Sequence, residues 1–193
     1  MRVAGGKAKG LLLKVPRNSS LRPTTELARG ALFSILGSMA SDWSLVLDLY
    51  AGSGALGIEA LSRGADWADF VEQNPRCCAI IKENLNRTGF ASQSHVYCCS
   101  ANKALSILDK EYNLILLDPP YSQPFPVAFL EALTASKLVG MDSIIVVEHS
   151  SRYLPLSKVG SSSLIRNRQY GDTSISIYQK EGEIDSSTLP RQL

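Results

Sequence analysis

Short apolar runs and amphipathic stretches alternate along most of this chain. Leu45-Val46-Leu47-Asp48-Leu49-Tyr50 is a first apolar run, and it breaks into Ala51-Gly52-Ser53-Gly54. A helical pattern follows from Ala55 to Arg63, closed by Gly64. Trp67 to Val71 reads as a second strand. Pro75, a residue suited to the first helical turn, opens a helix through Arg87 that Gly89 ends. His95 to Cys99 reads as a third strand, followed by a short helix across Lys103 to Leu108. Leu114 to Leu117 is a fourth, apolar on both faces as a central parallel strand should be. Phe125 to Leu138 reads as helix and Ser143 to Glu148 as a fifth strand. This alternation predicts right-handed βαβ units and a doubly wound, mostly parallel sheet of the α/β class. The end of the chain breaks the pattern. Ser162 to Arg168 and Ser174 to Gln179 alternate in polarity around Tyr170-Gly171-Asp172, which predicts an antiparallel edge and brings the count to seven strands.

The front of the chain stands apart from that alternation. Arg2 to Val15 carries Gly5-Gly6 and Gly10 among short apolar and basic residues, the composition of a small hairpin. Leu27, Ala31, Leu32 and Ile35 then form an apolar stripe at helical spacing, with Thr24 or Thr25 as the N-cap and Gly37 as the stop. The expected organisation is a basic hairpin-and-helix extension over 1–37 packed on the core, an α/β domain over 38–180, and a flexible polar tail over 181–193.

Composition narrows the function classes. With 193 residues, 45% of them hydrophobic, the chain can bury a sizeable core. No apolar run reaches the ~18 residues a membrane helix needs, and the first residues lack the apolar centre of a signal peptide. A monomeric cytoplasmic protein is expected. The net charge is only +2, yet the first 29 residues hold Arg2, Lys7, Lys9, Lys14, Arg17, Arg22 and Arg29 against the single acid Glu26. A basic arm on a mildly acidic body suits a polyanion met by one face; a solvated basic tail is the plainer reading. Cys77, Cys78, Cys98 and Cys99 form adjacent pairs without metal-ligand spacing, so reduced thiols are expected and no metal site.

Asp48 to Gly57 contains G-x-G-x-x-G between a strand and a helix. Such a loop lets a ligand approach the backbone and meets it with helix N-terminal amides. Ala51, Gly52, Ser53, Gly54 and Gly57 are its candidate cofactor-binding residues. Glu72 ends the next strand, where a carboxylate can take two hydrogen bonds from ribose hydroxyls. A dinucleotide and S-adenosylmethionine both fit this far. Asp48 favours the second, because a carboxylate at the strand end repels pyrophosphate and welcomes a sulfonium or ammonium.

Asp118-Pro119-Pro120-Tyr121 follows the fourth strand and is the most informative stretch. The prolines stiffen the turn and leave its carbonyls free as acceptors. Asp118 adds a carboxylate and Tyr121 a stacking face. That combination suits a planar amino group on an aromatic ring, whose nitrogen must be drawn toward tetrahedral geometry before it can attack. Asp118 and the Pro119 carbonyl would accept from the amine, and Tyr121 would stack the base.

These motifs resemble those of the class I S-adenosylmethionine methyltransferases that modify amino nitrogens. More narrowly, Arg2-Val3-x-Gly5-Gly6-Lys7, Arg22-Pro23-Thr24-Thr25, the glycine loop, Asp118-Pro119-Pro120-Tyr121 and Tyr170-Gly171-Asp172-Thr173 resemble, in that order, the RsmD-like bacterial family that methylates a guanine N2 in 16S ribosomal RNA. The resemblance spans Arg2 to about Tyr178. It implies a Rossmann-like methyltransferase fold, S-adenosylmethionine as cofactor, and ribosomal RNA or the small ribosomal subunit as partner. Arg2, Lys7, Lys9, Lys14, Arg22, Thr24 and Arg168 would grip the RNA. Many relatives place an aspartate near the cofactor adenine after the third strand. Here Cys99-Ser100-Ala101-Asn102 stands instead, with Ser100 or Asn102 as the acceptor. The rivals are an adenine-N6 DNA methyltransferase, an inactive RNA-binding assembly factor on the same fold, and a nicotinamide-dependent oxidoreductase. The last gives no role to the Asp-Pro-Pro-Tyr turn.

Overall fold

The computed structural model describes residues 1–16, 26–39, 43–120 and 125–180. Five apolar runs become the parallel strands β1 (Leu45–Leu49), β2 (Trp67–Glu72), β3 (Ser94–Cys98), β4 (Tyr112–Leu117) and β5 (Val139–Ser150). Between and before them run α1 (Glu26–Ser38), α2 (Ala55–Ser62), α3 (Pro75–Thr88), α4 (Ala101–Ile107) and α5 (Val127–Thr134). The chain ends its sheet with β6 (Lys158–Val159), β7 (Ser162–Tyr170) and β8 (Thr173–Lys180). The strand order is β3-β2-β1-β4-β5-β8-β7-β6, with β8 antiparallel to β5.

The continuous apolar strands are explained by burial on both faces. Val46, Leu114, Leu116, Ile144 and Val146 point to the side covered by α1, α2 and α3, whereas Leu47, Leu49, Ile115, Leu117, Ile145 and Val147 point to α4 and α5. Each such side chain contributes roughly 1.5–3 kcal/mol of transfer free energy. The chain lays β1, β2 and β3 outward in one direction and then places β4 on the other side of β1. That reversal opens a crevice at the carboxyl ends of β1 and β4, where open α/β sheets bind their ligands.

Several expectations are corrected. The sheet has eight strands rather than seven, because the two residues of β6 pair with Ser162 and Ser163 and are too few to show any periodicity. The helix expected over Phe125 to Leu138 is only Val127–Thr134. Val139 instead pairs with Tyr112, so β5 starts four residues before Ser143 through an irregular stretch that hid the alternation. Gly37 does not stop α1, which runs to Ser38. Helix α4 starts at Ala101 because Ser100 caps it, its hydroxyl accepting from the Lys103 amide at 3.2 Å. The capping Thr24 or Thr25 and the tail lie outside the described residues.

The hairpin of the arm is present, marked by the antiparallel pair Arg2 and Leu12. Val3, Ala8 and Leu13 are buried in the main core cluster, so the arm packs directly on α2 and α3. Gly6 shows how closely: a Cβ there would lie 1.8 Å from the Ser62 carbonyl oxygen, and its φ of +75° also favours glycine.

Candidate active site

Asp48, Glu72, Asp118 and Glu148 occupy the carboxyl ends of four neighbouring strands, in the spatial order β2, β1, β4, β5. Asp48 is buried under the glycine loop. Its Oδ2 accepts from the Gly57 amide at 2.9 Å, and Oδ1 has no hydrogen-bond partner. Gly57 is required by this approach, since a Cβ would lie 2.4 Å from the Phe70 ring and 3.1 Å from Asp48 Oδ2. Burial pushes the Asp48 carboxyl up to about 7, against the Gly57 hydrogen bond and with help from Glu72. Burial, with Glu148 and Asp48 nearby, holds half-buried Asp118 well above the usual carboxylate range. Burial beside like charges raises a carboxyl in this way, and a cation entering the crevice relieves Asp48 and Asp118.

Glu72 is held by the loop it serves. Its Oε2 accepts from the Gly52 amide at 2.9 Å and its Oε1 from the Asn74 amide at 2.7 Å. Each oxygen keeps a further acceptor direction. Gly52 and Gly54 have φ of +56° and +78°, and Tyr50, just before them, is the one non-glycine among the described residues with positive φ, at +61°. Backbone forced into that region by its surroundings gathers at ligand sites.

A cavity of about 380 Å³ opens above these groups, within the size range of small-molecule sites. Of the residues expected to bind a cofactor, Gly52, Glu72, Ser100 and Asn102 line it. Asp48, Ala51, Ser53, Gly54 and Gly57 support it from behind: the Ala51 amide bonds Val71, and the Ser53 carbonyl accepts from Asn84. Asp118 and Pro120 line the same cavity, Pro119 is buried beside them, and Tyr121 lies outside the described residues. Sequence reasoning passed over Tyr50, Asn74, Cys77 and Cys99, which also line it. Asn74 had a signal, because an asparagine before Pro75 is a helix cap, and its side chain accepts from the Arg76 amide. The cavity-facing cysteines had none. All four thiols are free.

The arm's cations divide. Lys7 and Lys9 are exposed, Arg2 bonds the Gly10 carbonyl from an exposed position, and Lys14 pairs with Glu83 at 2.6 Å. Arg168 is exposed on β7, while Arg22 and Thr24 lie outside the described residues. Arg29, counted among the basic residues of the front, is fully buried against Glu59 at 3.3 Å and cannot meet a polyanion.

Residues 1–179 match the profile of a family described as Conserved hypothetical protein 95. The chain belongs to that family. It is 36% identical over 185 residues to a Bacillus subtilis protein named "Putative rRNA methyltransferase YlbH", covering 94% of this chain and 100% of the relative. It is 31% identical over 186 residues to the Ribosomal RNA small subunit methyltransferase D of Escherichia coli K12, covering 96% and 93%. A solved Escherichia coli structure described as "Putative methyltransferase yhhF" superposes with a TM-score of 0.81 at 32% identity, covering 94% and 98%. The family is one of RNA methyltransferases, and this chain has their fold.

Proposed function

We propose that this protein transfers a methyl group from S-adenosylmethionine to the N2 amine of a guanine in small-subunit (16S) ribosomal RNA. The observation that carries the reading is that Asp118 and Pro120, with Pro119 buried between them, stand on the wall of the same cavity that Gly52 and Glu72 line. The residues fit the cofactor on their own chemistry. The orphaned Asp48 Oδ1, buried beside the Glu72 carboxylate, marks a site short of positive charge, which the sulfonium and ammonium would supply and a pyrophosphate would not. Glu72 would take the ribose hydroxyls through its remaining acceptor directions, and Asn102 and Ser100 stand at the wall after β3. Ser100 is already used as a helix cap, so Asn102 is the better acceptor for an adenine amine. When bound, the cofactor supplies an electrophilic methyl group on a positively charged sulfur.

The chain's own groups do the rest. Asp118 and the Pro119 carbonyl accept from the exocyclic amine, pull its lone pair out of the ring and orient it. A carboxyl raised by burial is also a competent acceptor for the proton that the amine sheds. Tyr121 would hold the base by stacking. The relatives' names support ribosomal RNA over DNA as substrate, and the assembled carboxylates argue against a decayed, inactive site. The acting compartment is then the bacterial cytoplasm.

The test is mass spectrometry of 16S ribosomal RNA from a strain lacking this protein. One N2-methylguanine should be missing, and purified protein with S-adenosylmethionine should restore it. An unchanged set of methylguanines would refute the reading. Calorimetry with S-adenosylmethionine and with NAD separates the methyltransferase from the oxidoreductase, since only the first ligand should bind.

A further inference from the structure

Four thiols gather at one end of the cofactor cavity, and the function above uses none of them. Cys77 and Cys78 lie in the first turn of α3, Cys98 ends β3, and Cys99 follows it. Cys77 and Cys99 line the cavity together with Glu72. Their sequence neighbours Cys78 and Cys98 meet on the α3 face of the sheet. Along β2 and β3, Phe70 and its register partner Val96 point to the face covered by α3, and Val71 and Tyr97 to the opposite face. Side chains alternate along a strand, so the next register pair, Glu72 and Cys98, returns to the α3 face. On α3, Cys78 stands three and seven residues before Ile81 and Leu85, which pack on that same face. Cys78 Sγ donates to the Glu72 carbonyl at 3.2 Å, beside Cys98 in the ladder. The Cys78 and Cys98 thiols are within hydrogen-bonding reach of one another.

The surroundings of the two thiols differ. Cys98 is exposed on β3, the edge strand of the sheet, whereas Cys78 is buried. Burial, then contact with Cys98, pushes the Cys78 thiol up to about 12, so it keeps its proton. An oxidant in solution therefore reaches Cys98 first and finds Cys78 directly behind it. An exposed thiol poised next to a second thiol is the arrangement in which a first oxidation is resolved as a disulfide. In a reducing compartment such a bond is transient and reports on the oxidant.

Resting on the reading of this cavity as the cofactor site, we propose that Cys98 is a site of oxidation by hydrogen peroxide and Cys78 its resolving partner, a thiol switch that lowers the affinity for S-adenosylmethionine. The Cys98 sulfur attacks a peroxide oxygen, the O–O bond breaks, and water leaves with the thiol proton, giving a sulfenic acid. The Cys78 sulfur then attacks the Cys98 sulfur. The S–O bond breaks, and the hydroxide leaves with the Cys78 proton as a second water. Two thiols lose two electrons and two protons, and one hydrogen peroxide is reduced to two waters. The disulfide ties the first turn of α3 to the end of β3 and removes the donor from the Glu72 carbonyl. It draws on Cys77 and Asn74 from one side and on Cys99, Ser100 and Asn102 from the other, all of which line the cavity.

The test treats the reduced full-length protein with hydrogen peroxide, alkylates the remaining thiols, and maps the digest by fragmentation in a mass spectrometer. A bond between Cys78 and Cys98 should appear, with Cys77 and Cys99 alkylated. By calorimetry, the cross-linked wild type should bind S-adenosylmethionine about tenfold more weakly, as the lining residues are displaced, and dithiothreitol should restore it. Cys98→Ser, at an exposed position outside the lining, should bind as the reduced wild type does, before and after peroxide. Four free thiols after treatment, a bond through any other pair, or Cys98 oxidised without a bond to Cys78 would overturn the proposal. So would a cross-linked protein with undiminished affinity, or an equal loss of affinity in Cys98→Ser. Reduced wild type that does not bind S-adenosylmethionine would overturn the cofactor reading itself, and the switch with it, whereas the cross-link is scored without any cofactor.

Discussion

Asp48 is buried on β1 and Asp118 half-buried just beyond neighbouring β4, and their surroundings assign them different work. Asp118 lines the cavity and Asp48 lies beneath it, bonded to the Gly57 amide. Asp118→Ala should lower the rate of methyl transfer by ~10²–10³ and leave cofactor affinity nearly unchanged, a split that single-turnover kinetics and calorimetry resolve. Asp48 makes a pH prediction. Its folded value of about 7 lies above the ordinary 3.8, so the native state binds more protons than the unfolded chain between those values. Its contribution to stability is full below the lower value and is lost as pH rises through 7. Asp48→Asn should therefore gain in melting temperature relative to the wild type as pH goes from 5 to 8. In the wild type, a cationic cofactor should displace a proton near pH 7, which calorimetry in buffers of different ionisation enthalpy detects. Gly57→Ala, which drives a methyl into Phe70 and toward Asp48, should cost about 1–3 kcal/mol and weaken the cofactor as well.

At the scale of elements, the arm is fastened to the cofactor loop rather than standing apart from it. Glu59 on α2 accepts from the Ala4 amide at 2.8 Å and pairs with buried Arg29 and half-buried Arg63. Fully buried Asn84 on α3 accepts from the Lys14 amide, and donates to the Lys14 carbonyl and to Ser53 in the glycine loop. Loss of the first 17 residues should therefore weaken cofactor binding as well as the fold. Truncation would leave Glu59 on α2 and Asn84 on α3 short of partners. Glu59→Gln should cost about 3 kcal/mol or more, because it leaves a buried guanidinium uncompensated. Asn84→Ala should both lower the melting temperature and raise the dissociation constant for S-adenosylmethionine. Unchanged cofactor affinity in that variant would show the arm to be a strap with no hold on the site.

For the whole molecule, charge is the quantity that matters. A net +2 conceals an uneven distribution, and the structure redistributes it again by burying Arg29 and pairing Lys14. Exposed Lys7 and Lys9 remain on the arm, Arg152 in the loop after β5, and Arg166 and Arg168 on β7. Replacing Lys7 and Lys9 with alanine should leave the fold intact and reduce the slope of log K against log salt for RNA binding by about 1.5. Titration of RNA binding at several salt concentrations checks this. No helix among the described residues is long and apolar enough to cross a membrane.

The sequence by itself determined the parallel core, because strands buried on both faces must be continuously apolar and the glycines between them permit few other turns. It also named Gly52, Glu72 and Asp118, whose chemistry is local to a strand end and the turn that follows it. Only the tertiary structure decided what depends on approach between distant segments. Asn84 and Glu59 read as ordinary helical polar residues until Lys14 and Ala4 are laid against them. Arg29 reads as a surface cation until α1 turns it into the core. The two-residue β6 exists only because β7 offers it a partner. Hydrogen bonds spanning 55 to 70 residues leave no period in the chain, so burial alone reveals which polar groups have been committed to one another.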